Sequence, residues 1–274
     1  MLIKTLVENT AVSEEFKSEH GLSLYIETKK HKLLFDLGAS KLFIENAKKL
    51  NVDLSAVDLV VISHGHYDHG GGLEAFLKLN SRAKIYVQKK AFDKHYSRKP
   101  DGETPYIGLD RRLLPNDRFI FTGDYLQIDE ELELFSNIKG VKLISPGNQK
   151  LLMESGTSLV PDDFAHEQNL VITEAGKKLL MAGCAHKGIV NIIDHLQDMQ
   201  NGSLSHVIGG FHLYNPSGNK FEDPGLVTKI GNYLKNTDLK YYTCHCTGIE
   251  PYNKLKEIMG EKIQYLAVGS TLII

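Results

Sequence analysis

The residues that decide the reading are Asp58-Leu59-Val60-Val61-Ile62-Ser63-His64-Gly65-His66-Tyr67-Asp68-His69-Gly70-Gly71-Gly72. Residues 58–62 are a short apolar run, the pattern of a strand buried on both faces. His64, His66, Asp68 and His69 follow at once. Imidazole and carboxylate are the donors zinc prefers, and iron and manganese also accept them. His64 and His66 converge on one ion if the chain turns at Gly65. Asp68 and His69 then face a second position, at the separation of a two-metal centre, about 3.5–4 Å. The glycines that follow permit a tight turn before the next helix. The ordinary alternative is a surface turn that happens to be rich in histidine. A single histidine would favour it; four candidate ligands in this spacing behind a buried strand do not.

Working outward, 22–28 and 32–35 read as a hairpin around Lys29-Lys30-His31. Leu42, Ile44, Ala47 and Leu50 recur at roughly helical spacing over 41–50. A helix over 72–79 and a strand over 84–87 come next. Residues 96–117 break the rhythm with Pro100, Pro105, Pro115, Gly102 and Gly108, and a loop this long is usually functional or mobile. Residues 118–160 look like irregular β-structure. The runs 170–173 and 178–181 flank a second turn, Glu174-Ala175-Gly176-Lys177. Helices over 188–199, 225–235 and 250–259 then alternate with strands over 205–209, 240–244 and 264–268, and 271–274 closes the chain. Both halves start β-rich and then alternate. That predicts an α/β fold with two sheets and helices outside them, not one doubly wound sheet.

Composition sets bounds. With 274 residues, one or two domains are expected, and a core of this size needs no staples. Hydrophobic residues at 42% and charged residues at 24% match globular averages, which argues against disorder. Lys+Arg at 32 against Asp+Glu at 34 gives no electrostatic reason to expect nucleic acid as a partner. Cys184, Cys244 and Cys246 cannot make a disulfide framework. Lys4, Glu8 and Asn9 interrupt the first apolar run, and no stretch approaches a membrane span. A cytoplasmic protein without a membrane partner is expected.

The spacing His64-x-His66-x-Asp68-His69 resembles the signature of the metallo-β-lactamase superfamily, and Phe35-Asp36-Leu37-Gly38 resembles its FDxG turn. The resemblance covers essentially the whole chain. It implies a four-layer αβ/βα sandwich as a single domain over 1–274, with a metal centre at one edge. A narrower resemblance rests on Glu19-His20-Gly21-Leu22-Ser23, Glu167-Gln168, Gly183-Cys184-Ala185-His186-Lys187-Gly188, Gly209-Gly210-Phe211-His212-Leu213 and His245-Cys246-Thr247-Gly248. These look like a subgroup described as metal-dependent hydrolases or dihydropterin-ribofuranosyl-aminobenzene-phosphate synthases. A small substrate, phosphorylated or pterin-like, is what that implies.

The superfamily supplies a further His, a bridging Asp and a last His from later strand ends. Cys184 stands where the bridging Asp is expected. Either its thiolate coordinates, or it is a small buried residue and His186 reaches the ion; the latter is favoured. No residue clearly matches the His that normally precedes that strand, although Asp162, Asp163, His166 and Glu167 lie in the region. His245 suits the last ligand. His212 is either a ligand or a hydrogen-bond donor beside one. His20 falls at the rim, while His31, His95, His195 and His206 read as surface or structural. The expected cofactor is a divalent metal, two zinc ions with iron or manganese compatible.

The chemistry implied is hydrolysis by a metal-activated water. Asp68 orients the water, and His212 or Tyr214 donates to the developing oxyanion. Residues 96–117 are expected to cover the site, with Arg111 and Arg112 available to a phosphate and Tyr106 to a planar ring; a solvated charged loop is the plainer reading. The competing functions are a two-metal phosphodiesterase or nuclease, a non-hydrolytic di-iron protein or synthase on the same scaffold, and a binding module with a structural metal.

Overall fold

The computed structural model describes residues 1–199, 204–218 and 220–274. Two seven-stranded sheets dominate it. The first runs in the order Thr271–Ile273, Leu2–Val7, Ser23–Glu27, Lys32–Phe35, Leu59–Ile62, Lys84–Gln88, Phe119–Thr122. The second runs Ile263–Tyr265, Lys240–Thr243, Leu204–Gly209, Lys177–Met181, Gln168–Glu174, Leu132–Ser136, Tyr125–Gln127. In each, antiparallel pairs give way to parallel ones, at Lys32–Phe35 with Leu59–Ile62 and at Lys177–Met181 with Leu204–Gly209. The two halves are therefore built alike, as their patterning predicts.

Side-chain alternation explains the layers. Leu33, Phe35, Leu59 and Val61 face Leu170, Ile172, Leu179 and Met181 in an apolar layer between the sheets. Leu34, Val60 and Ile62 point the other way, onto Phe43 and Ala47 of helix Leu42–Lys49 and Phe76 of helix Leu73–Leu79. On the far side, Val171, Leu180, Val207 and Tyr241 pack against helices Ile189–Met199, Pro224–Lys235 and Ile249–Met259. Strands covered on both faces need continuous apolar runs, which is why Leu59–Ile62 lacks a polar alternation. The result is the four-layer αβ/βα sandwich.

Two expectations need correction. The strand expected over 264–268 is only Ile263–Tyr265, because the chain turns away there and Val268 bridges to Ala11 across the fold. The segment 96–117 is not a free loop. His95–Ser97 pairs with Leu151–Ser155, Tyr96 bridges to Tyr106, and Gly108 bridges to His66. Among the described residues, no helix is long and apolar enough to cross a membrane.

The middle layer sets the stability. Phe35 is fully buried there, whereas Phe121, on the edge strand, is half exposed. Phe35→Ala is expected to cost about 3–5 kcal/mol in urea unfolding of the metal-free protein. Phe121→Ala should cost under about 1 kcal/mol. Equal costs would contradict the layer assignment.

Candidate metal centre

The parallel strands deliver the candidate ligands from their C-terminal ends. Leu59–Ile62 runs into His64, His66, Asp68 and His69; Lys177–Met181 into Cys184 and His186; Leu204–Gly209 into His212; and Lys240–Thr243 into His245. Convergence demands close backbone approach. A Cβ on Gly65 would lie 2.4 Å from the Ala91 carbonyl oxygen, and one on Gly209 2.2 Å from that of Ala182. It also demands unusual backbone. Asp36, Ala185, His212 and His245 all adopt positive φ, a conformation that costs energy in residues with a Cβ and concentrates at functional sites.

Each ring is aimed by a partner on its outer nitrogen. Ser63 Oγ lies 2.9 Å from His64 Nδ1, Asp36 Oδ2 2.6 Å from His69 Nδ1, Asn148 Oδ1 3.0 Å from His186 Nδ1, and Asn9 Oδ1 2.9 Å from His245 Nδ1. This leaves the Nε2 atoms of these four residues for the interior, the arrangement that outer partners impose on metal-ligating histidines. His66 is reversed: its Nδ1 lies 3.0 Å from His64 Nε2. His69 Nε2 is 3.2 Å from both His245 Nε2 and Cys184 Sγ. Asp68 Oδ2 is 3.3 Å from His245 Nε2 and 3.6 Å from His69 Nε2.

These donors fit a cation. Ring nitrogens confronting one another at such distances cannot all carry protons, and a buried lone pair facing another lone pair is repulsive. Two ligands bound tetrahedrally at 2.0–2.1 Å stand about 3.3 Å apart. His186 Nε2 and His212 Nδ1 are buried without a hydrogen-bond partner. Two sets form, His64 with His66 and His186, and Asp68 with His69 and His245; Cys184 groups with His64 and His69 and separately with His186 and His212. Both readings of the Cys184–His186 pair therefore place a donor at the centre.

Charge follows the same logic. Burial, reinforced by the neighbouring imidazoles, holds His64 and His186 well below the usual histidine range, so both offer lone pairs. Burial also pulls His69 down, but the Asp36 and Asp68 carboxylates outweigh it and push it up to about 9. Burial raises Asp68, but His69, His20 and His245 outweigh it and keep its carboxyl well below the usual range. Burial pushes the Cys184 thiol up.

A cleft of roughly 110 Å³ lies over these donors. Its walls include His20, Tyr67, Ser97, Ile107, Leu151, Tyr214, Asn215 and Pro216. His20 is more than a rim residue, with Nε2 3.2 Å from Asp68 Oδ2. Tyr106, Arg111 and Arg112 do not line the cleft. The Tyr106 hydroxyl donates to the Leu109 carbonyl at 2.7 Å, and Arg112 folds onto Asp110 at 2.8 Å. The segment instead contributes Ser97 and Ile107. Sequence reading missed Asn9, Ser63 and Asn148, for which no local pattern exists, and Asp36, whose only signal was the FDxG turn. Of the two roles expected for His95, surface or structural, the structure shows the second: it is buried against Asp162.

The charge pattern generates a prediction. With His69 pushed up to about 9 by Asp36 and Asp68, a cation binding at its Nε2 would compete with a proton there. Loading with zinc should release at least one proton, and affinity should fall at least about tenfold per unit as pH drops from 8.5 to 6.5. Calorimetry in buffers of different ionisation enthalpy and chelator competition measure both; pH-independent affinity would contradict the assignment.

Comparison with known proteins agrees with this geometry. The profile of the Metallo-beta-lactamase superfamily matches residues 19–219. An uncharacterized protein of Methanocaldococcus jannaschii is 29% identical over 264 residues, 94% of either chain. The 7,8-dihydropterin-6-methyl-4-(beta-D-ribofuranosyl)-aminobenzene-5'-phosphate synthase of the same organism is 27% identical over 98% of this chain and 95% of its own. The crystal structure of Tm1679, described as a metal-dependent hydrolase of the beta-lactamase superfamily, superposes with a TM-score of 0.83 at 30% identity, covering 100% of this chain and 99% of its own. The chain belongs to the metallo-β-lactamase superfamily.

Proposed function

We propose that the protein is a metal-dependent hydrolase acting on a small molecule. One observation carries this reading: two donor sets, His64/His66/His186 and Asp68/His69/His245, with Cys184 beside both, meet an open cleft whose floor is formed by His66, Asp68, Cys184, His186 and His245, with His64 and His69 buried directly behind. A structural zinc site is closed by four ligands, and this floor is not. A divalent cation bound there brings the pKa of a water toward neutrality and polarises a substrate oxygen. Two zinc ions suit the donors best, with iron or manganese compatible.

The chain's own residues supply orientation. Asp68, held as an anion, accepts a hydrogen bond from the attacking water and fixes its direction. His20 shares that carboxylate and lines the cleft where a leaving group departs. His212, half buried with Nδ1 unpartnered, directs its ring into the cleft as a donor to the developing oxyanion. Tyr214 stands beside it.

The named synthase from M. jannaschii supports a phosphorylated, pterin-like substrate and favours a second reading, bond formation on the same scaffold. Tyr214, Phe221 and Tyr265 line an adjoining recess that suits a flat ring. Among the described residues, no Lys or Arg lines the cleft, so a phosphate there depends on the cation and the histidines. The same absence disfavours a nuclease, whose substrate needs basic contacts along its backbone. The three thiols are unpaired, in keeping with a reducing cytoplasm.

Esters, lactones, phosphomonoesters and phosphodiesters should be assayed with the zinc-loaded protein, with and without chelator. Turnover of at least one class is expected, lost on chelation and restored by zinc. Asp68→Ala should lower kcat by about 10²–10⁴-fold. Undiminished turnover after complete metal removal, or in Asp68→Ala, would sink the proposal. Product formation only when a second substrate is supplied would select the synthase reading.

A further inference from the structure

Behind the centre, three residues that the proposed chemistry does not use gather around His66. His66, His95, Asp162 and His166 are all buried, with one potential donor atom from each lying within 4.8 Å of the others. They come from separate elements: the turn after Leu59–Ile62, the strand His95–Ser97 and the turn before Gln168–Glu174. Asp162 Oδ2 is 2.8 Å from His95 Nδ1 and 3.2 Å from His166 Nε2. The Gly65 amide donates to His166 Nδ1 at 2.9 Å. His66 Nε2 and His95 Nε2 are buried and have no hydrogen-bond partner. The two rings meet edge-to-face, centroids 5.8 Å apart.

A proton count decides what this cluster is. His166 Nδ1 accepts from Gly65, so a neutral His166 carries its proton on Nε2 and donates to Asp162. That nitrogen has no lone pair to give a cation. His95 donates from Nδ1 to the same carboxylate, which leaves its Nε2 bare. His66 turns Nδ1 toward His64 and the centre, which places its own proton on Nε2. One orphan is then a donor and the other an acceptor, so they complement each other. Burial pushes Asp162 up, but the hydrogen bonds from His166 and His95 outweigh it and keep it an anion.

We infer that Asp162, His95 and His166 are positioning residues for the His64–Gly65–His66 turn: His66 Nε2–H donates to His95 Nε2 through one water, and His166 clamps the Gly65 amide. One carboxylate thereby sets three histidine tautomers and holds the first donor set from behind. The inference rests on the reading of His66 as a ligand and adds the machinery that aims it.

The test is zinc affinity by competition with a chromophoric chelator, together with imidazole nitrogen NMR of the zinc-loaded protein. His95→Leu and Asp162→Asn should each weaken zinc binding about 10–100-fold. His95→Gln, which keeps an acceptor toward His66 and a donor toward Asp162, should recover much of the loss. The spectrum should show His66 protonated on Nε2, His95 on Nδ1 and His166 on Nε2, a signature that general destabilisation does not produce and that is readable in the wild type if a variant fails to fold. Wild-type affinity in His95→Leu, or a His66 proton on Nδ1, would overturn the relay while leaving the centre intact. So would one more zinc per chain in wild type than in His95→Leu, which would make the cluster an ion site. Failure of the wild type to bind zinc at all would remove both readings.

Discussion

Asp36 is the point on which the site turns. It ends the strand Lys32–Phe35, is wholly buried, and sits in left-handed backbone. A buried carboxylate is tolerated only when its oxygens are satisfied. Here the Ser63 amide and hydroxyl both donate to it at 2.7 Å, and His69 Nδ1 lies 2.6 Å away. One side chain thus ties the first hairpin to the start of the histidine turn and to its end. It also fixes which nitrogen of His69 faces inward. Ser63, Asn148 and Asn9 repeat that service for His64, His186 and His245 with neutral groups, so the negative charge is concentrated around His69, on Asp36 and Asp68.

Much of the architecture was legible because it rests on periodicity. The runs 59–62 and 179–181 are apolar without alternation, and only strands covered on both faces need that. The first helix announces itself by the spacing of Leu42, Ile44, Ala47 and Leu50; the structure buries Leu42 and Ala47 together with Phe43, and leaves Ile44 and Leu50 partly buried. The ligand-bearing turn was legible because its donors are adjacent in sequence. Other parts were hidden for a physical reason. Asn9 meets His245 across 236 positions, and Asn148 meets His186 from a segment with no pattern of its own. Single polar side chains that meet only after folding leave no local trace. His95 shows the same limit, since what buries it is Asp162, 67 positions away. For the arginines of 96–117 the plainer of the two readings fits: Arg112 is exposed and paired with its neighbour Asp110.

The strained residues share a location. Asp36, Ala185, His212 and His245 each stand just past a strand of one of the two sheets, where packing between the layers has already fixed the chain's direction. A rigid sandwich can hold such conformations because many contacts determine them at once. The price is borne by a core in which the largest side chains, among them Phe35, Phe43, Phe76 and Phe135, are almost wholly removed from water.

The walls of the cleft carry a consequence for how the protein meets its ligands. Asp68 stands on the floor, and among the described residues no fixed Lys or Arg faces it. The His69 ring beside it is pushed toward its charged form, so the bare floor offers an approaching anion little net attraction, and a cation held by the imidazoles would supply it. Occupancy by ion and by anion is then reciprocal: the factor by which the first tightens the second is returned in full. If the ligand is the anion proposed above, metal scarcity would abolish its capture before it unfolded the chain, and abundant ligand would shelter the metal from competing chelators.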